Sequence, residues 1–481
     1  MPSHAPKAVE CKIPCMGRMT MRRPLLAVAF ACVAVSLSPA APTARALDTA
    51  EYALRRSLLM GGIGDGVAIF LGATTPASDV AFRQGHDFFY MTGVEIPDAV
   101  LVVDGMRKES VLFFTMDEKT ADGMGLPVDL VRTPTKVTGI ERVMPSDGFN
   151  GYLAGLVRRN TPMYTLFRPE EIGPENSNEK FNALQRSMTM NGWDGRLTRE
   201  LQFVKLLRER FPQVDVRDSS TLVWNLRKYK SSAELAIMRD AAQLGVEGHK
   251  AFIRSTQPGV AERSLAALFE FVTALGGSRG LAYYTIIMSG KNHAYGHYHA
   301  YDRVLADGDF VILDAGPDLG NYHVDISTTF PVSGKFSARQ RELYEAAIVV
   351  RNAAIDNYRP GITLRQVGQK MEEALKANGL ERFTSDFASI IRYGGYNHSI
   401  GLATHDVMGT FAGPDEVLKS GFVFACDIQL FRFDEQIGIR IEDTVAITAT
   451  GREVLSAGAP RTVAEIETLM KEDGILQAIR R

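Results

Sequence analysis

Two aspartates, Asp314 and Asp325, stand in apolar runs, Phe310-Val311-Ile312-Leu313-Asp314 and Tyr322-His323-Val324-Asp325-Ile326, joined by a turn that contains Gly316, Pro317 and Gly320. A tight hairpin whose midpoint falls between Leu319 and Gly320 would set the two carboxylates directly opposite each other, with Cβ atoms about 5 Å apart. Two unscreened carboxylates at that distance repel, and either a shared proton or a bound cation must relieve them. The spacing is also compatible with a solvated turn in which one or both need no relief.

Other acids and imidazoles lie in similarly apolar settings. His398 occurs in Tyr396-Asn397-His398-Ser399-Ile400-Gly401 and is followed by His405-Asp406; Asp427 ends an apolar run that closes on Cys426; Glu442 sits in Ile439-Arg440-Ile441-Glu442-Asp443. Strand alternation puts Arg440 and Glu442 on the face opposite Ile439 and Ile441. Any one of these alone is more often a salt-bridged structural residue than a ligand. Their collective order changes that balance.

The order Asp, Asp, His, acid, Glu resembles the ligand set of the pita-bread metallopeptidase family, which includes the Xaa-Pro aminopeptidases (aminopeptidase P) and the prolidases. The resemblance extends through Ile326-Ser327-Thr328-Thr329-Phe330-Pro331-Val332, Gly334-Lys335-Phe336 and Gly438-Ile439-Arg440-Ile441-Glu442-Asp443, and covers residues 226–448. Residues 82–103, with Asp87-Phe88-Phe89-Tyr90-Met91-Thr92-Gly93, resemble the N-terminal domain of the same family. The resemblance implies that Asp314 chelates one metal, that Asp325 and Glu442 bridge two, and that His398 and Asp427 complete the second. It further implies that His297 and His405 stand on the substrate side, stabilising the tetrahedral oxyanion or positioning the proline-side carbonyl, while Arg440 orients the carboxylates. Such an oxygen-rich set suits Mn²⁺, with Zn²⁺, Co²⁺ or Fe²⁺ as alternatives. Metals about 3.5–4 Å apart could hold a bridging hydroxide and polarise the scissile carbonyl. The implied activity is hydrolysis of short peptides, with the Xaa-Pro preference resting on the resemblance alone.

Two positions depart from the family pattern. Asp427 stands where glutamate is usual, and Gly394 stands where a histidine four residues before the ligand histidine is usual; His293 is a candidate replacement for that imidazole or an ordinary loop residue. Two other readings compete: a creatinase-like amidinohydrolase, which would not need the metal ligands, and a pita-bread peptide-binding protein with weakened or no turnover. A G-x-S-x-G match at Gly276-Gly277-Ser278-Arg279-Gly280 follows a helical pattern, where a nucleophile elbow needs a strand. The glycine-rich stretch from Gly61 to Gly66 lacks dinucleotide-binding spacing.

The elements that must position these residues are also legible. Ser231 and Glu234 have capping-box spacing before a helix reaching towards Arg254, Gln257-Pro258-Gly259 breaks it, and a helix over 261–275 precedes strand-like sequence over 281–288. The same sentence recurs: Ser337 and Gln340 cap a helix, Pro360-Gly361 breaks it, and Thr363 opens another that ends at Asn378-Gly379. This predicts an internally duplicated α/β (α+β) pita-bread catalytic domain over 221–460, with a cleft between its halves. Mixed strand and helix patterns predict a creatinase-like α/β N-terminal domain over 47–220, with a short polar connection at 216–221, and residues 461–481 form a helical tail.

The first 46 residues read as an export signal: Arg22-Arg23, an apolar run over 25–37, then Ala44-Arg45-Ala46, with cleavage after Ala46 to give a periplasmic or secreted chain. That segment holds six of the 54 basic and one of the 56 acidic residues, leaving 48 and 55 in the mature chain. A mildly acidic chain gives no electrostatic reason to expect a nucleic-acid partner. Once the signal is removed, no apolar run is long enough to anchor the chain in a membrane. Only Cys426 of the four cysteines lies beyond the signal, so no intrachain disulfide is expected. Family members commonly form homodimers or larger homo-oligomers, and a short peptide is the expected partner.

Overall fold

The computed structural model describes residues 46–480 apart from 78 and 194. The expected export signal and its cleavage site lie outside the described residues, save Ala46 itself. Among the described residues no helix is long and apolar enough to cross a membrane, and Cys426 is buried and free.

The N-terminal part is built on a six-stranded sheet, with order Arg142–Met144, Glu109–Phe113, Val100–Asp104, Val67–Leu71, Met163–Thr165, Val216–Asp218. Strand alternation divides its apolar residues between two cores. Val67, Ile69, Val102, Val111 and Phe113 pack under the helices Phe149–Val157 and Arg199–Arg210. Ala68, Phe70, Leu101, Val103 and Leu112 face the other way, against the helices Thr49–Ile63 and His86–Thr92. The segment at 216–221, expected as a polar connection, is instead the edge strand Val216–Asp218 running straight into the helix Ser220–Arg227. Its parallel pairing with Met163–Thr165 outweighs its polar composition.

The C-terminal part carries a seven-stranded sheet whose main path is His398–Ser399, Val423–Arg432, Ile437–Ile447, Ser327–Pro331, Phe310–Asp314, Ile286–Ser289, with Arg452–Val454 also paired to Ile437–Ile447. Two helix pairs accompany it: Ser232–Ser255 with Glu262–Leu275, and Ala338–Asn357 with Leu364–Ala377. Capping boxes at Ser231/Glu234, Ser337/Gln340 and Thr363/Gln366 satisfy the exposed amides of three of these helices. The strand-like run at 281–288 is interrupted: Gly280–Leu281 pairs with Pro317–Leu319, and Ile286–Ser289 joins the large sheet. Tyr283 lies in the break.

The hairpin between the two aspartates has a different register from the expected one. Asp318 pairs with His323 and Leu319 with Tyr322, so the turn is Gly320-Asn321, with φ of 61° and 68°. A two-residue turn of this kind needs positive φ at both central positions, which glycine and asparagine accept and Leu319 would resist. Asp314 therefore pairs with Ser327 rather than with Asp325. Asp325 lies two residues along, on the same face, as a diagonal neighbour of Asp314.

A shared core and several ion pairs hold the two parts together, among them Arg55 with Glu234, Arg83 with Asp318 and a buried cluster around Arg227. Phe70, Tyr90 and Leu101 share a cluster with Tyr322, Ile400, Leu402 and Val423. Arg227, 1 % exposed, donates to Asp87 at 2.6 Å, to Glu171 at 2.7 Å and to Asp406. Removing this guanidinium would leave buried carboxylates without their main counter-charge. Arg227→Met should therefore cost about 3–5 kcal/mol, measured by urea unfolding of the full chain; a loss of stability no larger than that of a surface substitution would show that the cluster does not help to join the parts.

Candidate metal centre

The sheet register turns residues far apart in sequence into a single row. Asp427 pairs with Glu442, Glu442 with Ser327, and Ser327 with Asp314. Adjacent strands lie about 4.8 Å apart and paired residues share a face, so the row presents Asp427, Glu442 and Asp314 side by side. His398 pairs with Ala425, two residues from Asp427 and on its face. Asp325 enters from the end of the hairpin. All four carboxylate residues, Asp314, Asp325, Asp427 and Glu442, are at most 4 % exposed. Ile439 and Ile441, alternating with Arg440 and Glu442, point into the hydrophobic core.

His398 is set as a ligand would be. Its Nδ1 lies 3.0 Å from the Thr404 carbonyl, and because a carbonyl only accepts, Nδ1 carries the proton. The unprotonated Nε2 then faces Asp325 Oδ2 at 3.5 Å and Glu442 Oε1 at 3.6 Å. Burial, followed by the neighbouring His405, pushes the imidazole down to about 3, so the ring is neutral. A nitrogen lone pair aimed at two carboxylates calls for a cation between them. Asp325, His398 and Glu442 each offer an atom within 4.8 Å of the others. Asp427 Oδ1, also buried, has no hydrogen-bond partner. The donor set fits hard divalent cations.

Arg440 spans the row, with Nη1 2.5 Å from Asp314 Oδ2 and Nε 3.3 Å from Asp427 Oδ2. Gln429 Nε2 donates to Asp427, and Ser327 Oγ donates to Glu442 Oε2 at 2.8 Å. The side chain that sequence reasoning missed is Tyr283, whose hydroxyl oxygen lies 2.6 Å from Asp314 Oδ1 and within hydrogen-bond reach of Asp325, so that its single hydrogen is shared between the two acids. A tyrosine in a strand-like run reads as core, and only the break in that strand turns it onto the aspartates. Burial and Asp314 raise its phenol well above the ordinary range.

His405 packs edge-on against His398, with ring centroids 4.4 Å apart, and its Nδ1 lies 2.6 Å from Glu179 Oε1. That hydrogen bond lowers the Glu179 carboxyl. His297 is exposed on the same side, and partial burial followed by Arg440 lowers it below an ordinary histidine. His293 does not join this group: it is buried under the turn between Val423–Arg432 and Ile437–Ile447, where Nδ1 lies 2.9 Å from the Gly438 amide nitrogen and 3.1 Å from the Gln436 carbonyl oxygen. Gly394 ends the helix Ala388–Tyr393 with φ of 69°, and a Cβ there would lie 2.3 Å from the Leu364 carbonyl oxygen. A side chain at this position would need a rebuilt backbone.

The fold and this arrangement define a metal-dependent peptidase, and comparison with known proteins gives the lineage. The sequence profile of metallopeptidase family M24 matches residues 236–449, and that of the aminopeptidase P N-terminal domain matches 52–167. The chain is 28% identical over 448 residues to the Xaa-Pro aminopeptidase of Escherichia coli (strain K12), covering 87% of this chain and 97% of that protein. It is also 28% identical over 403 residues to the mitochondrial intermediate cleaving peptidase 55 of Arabidopsis thaliana, covering 81% and 75%. Among solved structures it is similar to Pseudomonas aeruginosa aminopeptidase PepP, with TM-score 0.72, 27% identity, and coverage of 88% of this chain and 98% of that one. Aminopeptidase P from E. coli with the inhibitor Pro-Leu aligns at TM-score 0.69 and 26% identity over 91% of this chain and all of that one, 100%. The chain belongs to the pita-bread M24 metallopeptidase family, with an aminopeptidase P-type N-terminal domain.

Without a cation the row must hold protons. Burial and Asp314 push Glu442 up to about 7 from 4.5, and burial and Glu442 or Arg440, in opposite senses, leave Asp325 and Asp427 well above the usual carboxylate range. The folded chain then binds protons that the unfolded chain has already released, so stability is present below about pH 4.5 and is lost as pH rises towards 7. The buried neutral His398 acts in the opposite sense, so the acid is isolated by comparison: as pH rises from about 4.5 to 7, the melting temperature of metal-free Glu442→Gln should gain on that of metal-free wild type. A difference that shrank over this interval would contradict the raised Glu442.

Proposed function

We propose that the chain hydrolyses the Xaa-Pro bond of short peptides, using two divalent cations, Mn²⁺ by preference, held by Asp314, Asp325, His398, Asp427 and Glu442. The observation that carries this reading is the buried row of acids across the sheet, joined by a neutral imidazole whose lone pair faces two of them. Family membership supports the hydrolytic chemistry. The names of the relatives, Xaa-Pro aminopeptidases among them, support the choice of bond.

In this reading Asp314 would serve one cation, His398 and Asp427 a second, and Asp325 and Glu442 would complete the site. Bound there, the cations would supply an acidified water and polarise the scissile carbonyl. The chain's own groups do the rest. The Thr404 carbonyl holds the His398 tautomer, Arg440 keeps Asp314 and Asp427 at fixed separation, and Tyr283 aligns Asp314 with Asp325. His297 and His405, beside the row, stabilise the developing oxyanion or position the proline-side carbonyl. The shorter Asp427, where glutamate is usual, weakens or alters metal choice at the second position.

The division into 47–220 and 221–460, with a tail over 461–481, belongs to the same proposal. So do an export signal cleaved after Ala46, a periplasmic or secreted location with no membrane attachment thereafter, and a homodimer or larger homo-oligomer. The apolar run after Arg22-Arg23 supports export.

Elemental analysis of the purified mature chain, paired with hydrolysis of Xaa-Pro di- and tripeptides with and without Mn²⁺, tests the function. We expect about two metals per chain and Mn²⁺-dependent cleavage. Asp325→Asn should abolish both; a fully active Asp325→Asn variant would sink the ligand assignment. A metal-free protein inert towards every peptide would favour a binding role.

A further inference from the structure

The helix Ser177–Met190 lies between the segments matched by the two family profiles, and the chemistry proposed above does not use it. Its first turn nevertheless reaches the site. Asn176 is the N-cap: Oδ1 accepts from the amides of Asn178 at 2.8 Å and Glu179 at 3.1 Å, while Nδ2 donates to the His405 carbonyl. The Ser177 amide donates to Glu171 Oε1 at 3.0 Å. The other Glu171 oxygen accepts from Arg227, which also donates to Asp406. His405 and Asp406 are therefore gripped from two directions by the segment 171–179.

This capping geometry is what leaves Glu179 Oε1 2.6 Å from His405 Nδ1. A carboxylate only accepts, so Nδ1 carries the hydrogen and Nε2 is left for other partners. The ring lies edge-on to His398, 4.4 Å between centroids, which places this second nitrogen's environment beside the metal row. The Glu179 and His405 side chains are 64% and 33% exposed. A pair so open to solvent adds little to stability. Its consequence is geometric.

We propose that Glu179 is a positioning residue for the peptidase reaction: anchored by the Asn176 cap, it sets the tautomer and ring orientation of His405 and so presents Nε2 to the bound peptide. The proposal rests on the reading of His405 as a substrate-side residue. It gives the N-terminal part a direct role in the site, because the helix that carries Glu179 precedes the matched catalytic segment.

The test compares wild type, Glu179→Ala, Glu179→Gln, His405→Ala and the Glu179→Ala/His405→Ala double variant as Mn²⁺-loaded full-length mature chains cleaving the tripeptide Ala-Pro-Leu. Glu179→Ala should lower kcat about tenfold, the scale of losing a partner that orients an active-site histidine, with KM, metal content and melting temperature little changed. Glu179→Gln, whose amide oxygen still accepts from Nδ1–H, should recover most of the rate. The double variant should be no slower than His405→Ala alone. Unchanged kcat in Glu179→Ala, or losses that multiply in the double variant, would overturn the proposal while leaving the peptidase reading intact. If instead His405→Ala cleaves as well as wild type, or wild type itself does not cleave, the reading of His405 fails, and NMR of the ¹⁵N-histidine-labelled metal-free chain decides the positioning separately. Glu179→Ala should move His405 away from the Nδ1–H form; an unchanged tautomer overturns the proposal whatever the activity.

Discussion

Negative charge concentrated in a dry place is the constraint on which this structure turns. Asp314, Asp325, Asp427 and Glu442 are nearly excluded from water and share one face of one sheet. Buried ions are tolerated when paired or metal-bound, and here the protein's own cation, Arg440, reaches Asp314 and Asp427. Asp325 and Glu442 are left with hydroxyl donors, Tyr283 and Ser327, and with a neutral histidine. A divalent ion is the economical resolution, and the surrounding structure reads as the means of keeping these groups close enough to need one.

The large sheet does most of that holding. Its antiparallel ladder converts positions 314, 327, 427 and 442 into neighbours, while alternation sends Ile439, Ile441, Leu313 and Ile428 into the hydrophobic core behind. The loop from Ser399 to Asp406, in contrast, has little regular structure and is held by other parts of the chain. Thr404 meets His323 and Ala282, and Asp406 meets Arg227 and Lys230, while Asn176 and Glu179 meet His405. The N-terminal part thus supplies some of the restraint on the least regular segment of the site.

Relatives at 24–28% identity span most of this chain, and the two positions at which the sequence is read as departing from the family pattern, Asp427 and Gly394, differ in physical status. Asp427 keeps the charge and the strand position, changing only reach, and Gln429 and Arg440 fill the space around it. Gly394 is a change of backbone: a left-handed helix terminus under the Leu364 carbonyl leaves no room for a side chain. His293, the sequence candidate for a replacement imidazole, is instead held at the turn by Gln436 and Gly438.

Much was written in the sequence alone. Capping pairs marked the starts of the helices at Ser232 and Ala338, and Thr363 that at Leu364, because those hydrogen bonds are local. Alternation put Arg440 and Glu442 on one face, and the order of acids and histidine pointed to the family. The register of the Asp314–Asp325 hairpin was misjudged by two positions because it follows from the φ that Gly320 and Asn321 adopt, not from the midpoint between the acids. The strand at Val216–Asp218 and the turning of Tyr283 onto the aspartates depend on pairing with distant strands, as does the approach of Glu179 to His405 across 226 residues. Local hydrogen bonds and side-chain periodicity are properties of a short stretch of chain and can be read from it; which distant groups share a desolvated space is decided only when the sheets and cores close around them.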